Sequence, residues 1–435
     1  SSRRSDPTQK DSSKAKARKG QVEGSNPSRG FIKDILQEPI NLEKSILSEF
    51  KGIFMLDIFE DRVNRLTGYK ALHGFALGLV GIFIPIFIAQ QGFSASTVFS
   101  FLLADVASFT FFALPVGWLV SKIGVRNSLL SSSLLYILVF ILLQTISLNF
   151  TVIYSVAVLI GLAKAFNWIP VNSEFTAGSE EDDRGRNYGK LEGIPKILSP
   201  FAPLIGALIM TKLGFSFLVA FSLFFAIGSV MPLLFGDGTK NPDFQIENKP
   251  DLSNRDLWAL YYLDGFATTA YVFIFPLFIY YVIGGTVNVG SVKTLMGIGA
   301  GIFSLTIGNL SDRIEQKNLL LAGAIASSLI YLAVPSLNDI YLAFGLSFVA
   351  GLTYTVYTVP LISIVADIAE KKNLLGFYST REIFQGIGKI SVVGLIVYII
   401  SSYSIDLAFK TTFYLAALSV LALAGMSRKV DKRRQ

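Results

Sequence analysis

The stretch GWLVSKIGVRNSLL, residues 117–130, returns in altered form as GNLSDRIEQKNLLL, residues 308–321. Both begin with glycine and have leucine two residues later, a basic residue five residues later and another basic residue nine residues later. The two glycines, Gly117 and Gly308, are 308 − 117 = 191 residues apart. This spacing indicates that the chain contains two copies of one unit.

The repeat extends well beyond these two stretches. Pro85 and Pro276 also differ by 191 residues, as do His73 and Asp264. Four further pairs differ by 190, so one residue was lost between the two groups: Gly161 and Gly351, Pro170 and Pro360, Tyr188 and Tyr378, and Glu192 and Glu382. Repeated membrane bundles usually hold their ligand where the two copies face each other. A transporter is therefore the leading hypothesis.

The composition is that of a polytopic membrane protein. Of 435 residues, 52% are hydrophobic and 16% charged, and the mean hydropathy is +0.54; soluble chains have about 25% charged residues. We predict an all-α membrane protein of about twelve transmembrane helices in two pseudo-symmetric six-helix bundles. The predicted spans are 69–90, 97–120, 127–146, 150–176, 188–211, 214–235, 257–283, 289–310, 318–336, 339–369, 376–400 and 406–426.

Composition also divides the chain into regions. Residues 1 to 30 are polar and predicted to be disordered, and they contain no signal-peptide core. The amphipathic pattern up to Leu66 predicts helices that either lie on the membrane surface or pack under the bundle. The predicted regions are a cytoplasmic N-terminal extension (1–66), a first bundle (67–236), a cytoplasmic linker (237–256), a second bundle (257–428) and a basic tail (429–435).

The basic residues are concentrated in alternate loops, and this distribution predicts the orientation. The opposite loops have little basic charge, and we assign Lys212, Lys293 and Lys410 to them. Because the side rich in Lys and Arg faces the cytoplasm, both termini are expected to be cytoplasmic in a multi-pass protein of the plasma membrane.

At the loop after the second span of each half, the sequence resembles the major facilitator superfamily, whose signature there is G-x-L-x-D-R/K-x-G-R/K-R/K. The second copy matches at Gly308, Leu310, Asp312, Arg313 and Lys317, and the first at Gly117, Leu119, Lys122, Gly124 and Arg126. Ser121 stands where the family has Asp, so the first copy departs from the pattern.

The resemblance implies that these residues latch a cytoplasmic gate, through contacts of the aspartate with neighbouring basic groups and helix N-termini. Alternatively, the loop charges only hold the orientation. The predicted gate comprises Gly117, Lys122, Arg126, Gly308, Asp312, Arg313 and Lys317, together with Glu192, Arg381 and Glu382 near the ends of later spans.

Ionisable side chains inside spans are candidates for function because their burial in hydrocarbon is costly. Asp105 lies inside the second span and fits either proton coupling or a structural hydrogen bond. Lys164 is similarly deep, and with Asn167 and Trp168 it is able to present an ammonium, an amide and an aromatic face to one cavity. The alternative is a structural ion pair between Lys164 and Asp105.

His73 and Asp264 occupy equivalent places in the first and seventh spans, where facing titratable groups are able to exchange a proton. A histidine this close to the interface also fits a headgroup-contacting or packing role. Further predicted substrate-binding residues are Gln385 and Lys389, one turn apart in the eleventh span, and Tyr354 and Tyr357, which equally fit core packing.

These observations predict a secondary active transporter that moves a small organic solute across the cytoplasmic membrane by alternating access, coupled to protons. Lys164 and Lys389 favour an anion, whereas unpaired Asp105 and Asp264 would favour a cation. We expect a monomer in the lipid bilayer that binds no nucleic acid, metal or cofactor and has no catalytic residues.

Three other classes of function remain open: a sensor or scaffold that signals through the N-terminal extension, an exporter of lipids or amphiphiles, and an intramembrane enzyme. The absence of a P-loop argues against ATP drive, and the absence of H-E-x-x-H argues against a metalloprotease.

Overall fold

The structure is a computed structural model that describes residues 62–145, 149–177, 195, 198–234, 255–311, 316–369 and 372–432. Most of the predicted N-terminal extension and of the predicted linker lies outside these residues. Three predicted gate residues also lie outside them: Glu192, Asp312 and Arg313.

The described part of the first half consists of helices joined by short turns. Its α-helices are α1 (Arg62–Val80), α2 (Phe83–Gln90), α3 (Ala95–Thr145), α4 (Phe150–Ala177), α5 (Ala202–Leu213) and α6 (Phe215–Leu234), with a 3-10 turn at Ser199–Phe201 before α5. The longest helix, α3, contains two predicted spans. They are separated at Gly124, whose φ of 81° is a backbone conformation that only glycine adopts freely.

The second half repeats this arrangement. Its α-helices are α7 (Arg255–Thr269), α8 (Phe275–Phe278), α9 (Thr286–Ser311), α10 (Gln316–Ala333), α11 (Ile340–Ala369), α12 (Leu374–Ser402) and α13 (Ile405–Lys432). Two π-helical turns, Ala270–Ile274 and Ile279–Ile283, flank α8, and a 3-10 turn, Val334–Ser336, follows α10.

The predicted fold class is confirmed. Each of the predicted spans overlaps a helix, and the described residues contain no strand. Nine helices in the described ranges are long and apolar enough to cross a membrane, and one of them, Ala95–Gln144, holds two predicted spans. The predicted fifth and eighth spans fall on the helical segment Ser199–Leu213 and on α9.

Equivalent helices pack in the same way in the two halves. A Cβ atom at Gly161 of α4 would collide with the carbonyl oxygen of Asp105 in α3, and one at Gly351 of α11 would collide with that of Met296 in α9. The glycines differ by 190 and their partners by 191, so the sequence repeat is also a structural repeat.

The repeated prolines disturb the regular α-helix of the first span in each half. Proline lacks the N–H that would bond the carbonyl four residues earlier. Before Pro85, α1 ends at Val80 and a two-residue turn follows. Around Pro276 the helix continues, but with π-helical turns on both sides of α8. The same proline is therefore accommodated by a break in one half and by a wider helix in the other.

The helices begin and end at two opposite sides of the bundle. The linker end is where α6 ends, at Leu234, and α7 begins, at Arg255; the far end is the opposite one. At the far end two hydrogen bonds join the halves: Gln90 Nε2 donates to Thr286 Oγ1 (3.3 Å), and the hydroxyls of Ser96 and Ser401 are 3.0 Å apart. Deeper in the bundle, the Leu204 N–H donates to Thr294 Oγ1 (3.2 Å). The halves are therefore in direct contact at both places.

Candidate solute-binding cavity

A cavity of about 700 Å³ lies between the halves. Twenty of its lining residues come from the first half and twenty from the second. This volume is within the range of about 300–1,000 Å³ that holds small-molecule ligands. The lining includes nine predicted site residues: Asp105, Lys164, Trp168, Asp264, Tyr354, Gln385 and Lys389, together with Arg381 and Glu382 of the predicted gate.

On the first-half wall, Asp105 and Lys164 form an ion pair. The Lys164 Nζ donates to Asp105 Oδ2 at 2.5 Å, and the side chains are 21% and 4% exposed, respectively. The close approach of α4 to α3 at Gly161, one turn before Lys164, brings the two groups together. The Ser108 hydroxyl also ties the helices by donating to the Val158 carbonyl at 2.8 Å. The charges of this pair largely cancel each other.

On the second-half wall, an amide links a carboxylate to a lysine. Gln385 Nε2 donates to Asp264 Oδ2 at 2.6 Å, and Lys389 Nζ donates to Gln385 Oε1 at 2.7 Å. A Cβ at Gly265 would collide with the Gln385 carbonyl oxygen, and one at Gly388 with the Tyr262 carbonyl oxygen. Two glycines thus allow α7 and α12 to cross closely enough for this chain of hydrogen bonds.

Each lysine also faces an aromatic ring of the opposite half. Lys164 Nζ lies 5.4 Å from the centroid of the Phe273 ring, and Lys389 Nζ lies 5.4 Å from that of Phe109. Both distances are within the roughly 6 Å at which a cation is attracted to a ring face. The two contacts cross the interface in opposite directions.

The predicted tyrosines have different environments. The Tyr354 ring lines the cavity and stacks on Tyr271, with ring centroids 4.0 Å apart and planes 3° apart. Its hydroxyl lies 3.5 Å from that of Thr268, which donates to Asp264 Oδ1 at 3.3 Å. Tyr357 is fully buried and is absent from the lining. Tyr354 is therefore the one of the two that a solute in this cavity would contact.

His73 and Asn167 lie behind the cavity wall. His73 is buried, stacks on Tyr69 with centroids 4.9 Å apart, and meets the edge of Tyr136 at 5.2 Å. Neither ring nitrogen of His73 has a hydrogen-bond partner among the described residues. Asn167 is buried and accepts a hydrogen bond from the Tyr69 hydroxyl at 2.7 Å. Trp168, by contrast, is 47% exposed and lines the cavity.

The described part of the predicted gate lies at the linker end. Gly117 and Lys122 are in the first segment of α3, and the Lys122 ammonium lies 6.0 Å from the Trp118 ring. Arg126 Nη2 donates to the Leu234 carbonyl at 3.2 Å, which links α3 to the end of α6. Gly308 lies in α9 and Lys317 in the first turn of α10.

Arg381 and Glu382 are part of the cavity wall rather than of a loop. The Arg381 guanidinium lies over the rings of Tyr261 and Tyr378, at 5.8 and 5.7 Å, and its Nη1 is 3.8 Å from Glu382 Oε1. Both side chains belong to α12, seven and eight residues after its start at Leu374. They close the second-half wall toward the linker end.

The assignment of Lys293 to an outer loop is wrong. Lys293 lies seven residues inside α9 and lines the cavity, where its Nζ donates to the Val272 carbonyl at 3.2 Å. Its position within an otherwise apolar stretch was the available signal, because loop charges fall outside such stretches. Charge counting between spans overlooked it.

The charges of the lining residues do not balance. Apart from Lys70, which has an interaction partner of its own, four are cationic and three anionic, which gives 4 − 3 = +1 with every group in its ordinary state: Lys164, Lys293, Arg381 and Lys389 against Asp105, Asp264 and Glu382. Within the described residues, no cluster of His, Asp and Glu is arranged to hold a metal ion.

Comparison with known proteins places the chain in a family. A sequence profile of the Major Facilitator Superfamily matches residues 69–283 and again residues 257–434. An uncharacterized MFS-type transporter of Bacillus subtilis strain 168, YuxJ, is 25% identical over 298 residues, which cover 63% of this chain and 73% of that protein.

Solved structures that share the fold include two transporters. The fucose:proton symporter FucP of Escherichia coli has a TM-score of 0.59 at 17% identity, covering 85% of this chain and 98% of its own. The human organic anion transporter MFSD10 has a TM-score of 0.58 at 14% identity, covering 83% and 98%. With a duplicated helical bundle, a cavity between its halves and family matches that span nearly all described residues, this chain belongs to the Major Facilitator Superfamily and is a multi-pass membrane transporter.

Proposed function

We propose that this transporter carries an organic anion across the plasma membrane by alternating access, with both termini in the cytoplasm and one chain as the working unit. The observation that carries the proposal is the excess of one positive charge in the cavity lining, counted without Lys70. An uncompensated charge in a membrane is costly, so a solute of opposite sign gains affinity by neutralising it.

Lys389 is the proposed contact for the anion. Its immediate partner is the neutral amide of Gln385 rather than a carboxylate, so its positive charge is only indirectly balanced by Asp264. Lys164 is directly paired with Asp105 and contributes little net charge. A carboxylate or similar group beside Lys389 would add a charge-assisted hydrogen bond without breaking an existing ion pair.

Alternating access fits the distribution of contacts between the halves. Hydrogen bonds join them at the far end, whereas the cavity lining extends toward the linker end as far as Lys70 and Asn172. Transport then requires the far-end contacts to open while the linker end closes. The helix break before Pro85 and the π-helical turns on both sides of Pro276 are points at which the bundle is able to bend.

Proton coupling is proposed at Asp264, with Asp105 and His73 as the other candidates. Asp264 lines the cavity and accepts hydrogen bonds from Gln385 and Thr268, so none of its described partners is a cation. A proton bound to this carboxyl would offset the negative charge of the anion that is transported with it. His73 lies behind the wall and would have to act through Tyr69 or Tyr136.

The test is uptake by purified protein in liposomes, with a broad panel of radiolabelled organic anions, cations and neutral solutes. We expect uptake of an anion, and at least a tenfold loss of its rate in Lys389→Gln. Lys212→Gln removes the same charge at an exposed position outside the cavity and should leave the rate unchanged. Uptake restricted to cations or neutral solutes would refute the proposal, and binding without flux would favour the sensor.

A further inference from the structure

Lys293 lies where its charge has no described counter-ion. It is seven residues from the start of α9 at Thr286, hence about 10 Å from the far end at about 1.5 Å per residue. It lines the cavity, and no carboxylate of the described residues is within ion-pair distance of its ammonium. Lys164 and Arg381 each have such a partner.

One role for Lys293 is structural. Pro276 has no N–H to offer the Val272 carbonyl four residues earlier, and the Lys293 ammonium donates to that oxygen at 3.2 Å. A neutral donor would satisfy one carbonyl equally well, however, whereas an ammonium has three N–H donors and a full charge. The hydrogen bond to Val272 therefore does not account for the choice of lysine.

The internal repeat shows that the proline does not require a lysine. The residue equivalent to Lys293 in the first half is Leu102, because 293 − 191 = 102. Leu102 is buried and lines the same cavity, and Pro85 there is accommodated without a charged side chain. The lysine is thus a feature of the second half alone.

The two second-half cations of the cavity lining that have no direct ion pair among the described residues are well separated. Lys389 is 402 − 389 = 13 residues from the far end of α12, and Lys293 is 7 residues from that of α9. Their difference of six residues corresponds to about 9 Å along the bundle. One carboxylate is too small to reach both, and the side chains of Val272 and Phe273 make the nearby wall apolar.

We propose that Lys293 is a second anion-recognition residue, so that the solute is a dianion with acidic groups at the two ends of an apolar spacer. One group binds Lys389 toward the centre and the other binds Lys293 toward the far end. This inference rests on the proposed transport of an organic anion and names the class of that anion.

The test compares suberate, a straight-chain dicarboxylate, with monomethyl suberate, which has the same length and one charge. The concentration that half-maximally raises the unfolding temperature is measured for the purified protein, because a ligand that binds the native state stabilises it. Wild type is expected to bind suberate at least tenfold more tightly than the monoester. Lys293→Leu introduces the residue found at the equivalent first-half position, and it should remove this preference while still binding the monoester. Lys293→Arg keeps the positive charge and should keep the preference.

Lys212→Leu is the matched control and should keep the preference, since this lysine is exposed outside the cavity. Equal affinity for the two compounds in wild type would overturn the role of Lys293 and leave organic-anion transport standing. If Lys293→Leu weakens the binding of both compounds equally, the role of Lys293 is structural only. Failure of both compounds, together with failure of every anion in the uptake panel, would refute the proposed function itself.

Discussion

The Lys389 ammonium lies 5.4 Å from the centroid of the Phe109 ring, so a cation of the second half faces an aromatic ring of the first. The reverse contact, from Lys164 to Phe273, has the same length. Both rings belong to the cavity lining. The groups available to bind an anion are therefore also groups that hold the halves together, and a solute that draws a lysine from its ring would weaken the interface.

Replacing either ring should loosen the solute-free protein. Phe109→Leu and Phe273→Leu are each expected to lower stability by about 0.5–2 kcal/mol through loss of the cation–π contact, in addition to lost packing. Phe111→Leu is the control, because its ring is 73% exposed on the outside of the bundle. A double-mutant cycle of Phe109→Leu with Lys389→Met, read by thermal unfolding, isolates the contact, and a coupling energy near zero would contradict it.

Removing one member of the Asp105–Lys164 pair should cost more than removing both. Asp105→Asn leaves an ammonium in the bundle without its counter-ion and is expected to destabilise by about 3 kcal/mol. Adding Lys164→Met removes that charge, so the double variant should recover most of the stability. Thermal unfolding in one detergent compares the three proteins. If the double variant is less stable than Asp105→Asn, the pair is not the source of the loss.

Glycine contacts between neighbouring helices should be intolerant of a methyl group. Gly351→Ala places a Cβ against the Met296 carbonyl and is expected to cost about 1–3 kcal/mol. Gly345→Ala, in the same helix α11, meets nothing within 4 Å and should gain about 0.5–1 kcal/mol from the better helix former. Opposite shifts in unfolding temperature are expected, and a loss of equal size in both would exclude the packing explanation.

A covalent link at the far end should block turnover. The hydroxyls of Ser96 and Ser401 are 3.0 Å apart and the chain contains no cysteine, so Ser96→Cys with Ser401→Cys introduces a single pair. Oxidation is expected to abolish uptake in liposomes, and reduction to restore it, whereas each single variant stays active. Undiminished uptake by fully oxidised protein would mean that the far end does not have to open.

Proton drive should depend on Asp264. In Asp264→Asn the carboxyl that carries the proton is gone, so an inward proton gradient should no longer accelerate anion uptake, while exchange of anion for anion across the membrane continues. Asp339→Asn changes a carboxylate of the far-end loop whose Oδ1 caps α11 and serves as the control. Uptake that is still proton-driven in both Asp264→Asn and Asp105→Asn would remove these carboxyls from coupling.

Much of the architecture could be predicted from the sequence. Spans follow from apolar length, and the duplication follows from residue spacing, because both are local or periodic properties of the sequence. The sequence also predicted polar residues that line the cavity, since ionisable and amide groups inside a span are rare and costly. These residues are Asp105, Lys164, Asp264, Gln385 and Lys389. Lys293 was missed because it lies near the start of the predicted span 289–310, and charge counting assigned it to the adjoining loop.

The sequence by itself determined a duplicated all-helical bundle, because segments of about 20 apolar residues cross hydrocarbon as helices and the repeat fixes their order. Pairing was decided by the tertiary structure: Asp105 is neutralised by Lys164, Asp264 is reached through Gln385, and Lys293 has a carbonyl as its partner. These partners are distant in the chain and meet only where glycines let helices cross closely. The sign of the cavity's charge depends on that geometry, which no local pattern contains.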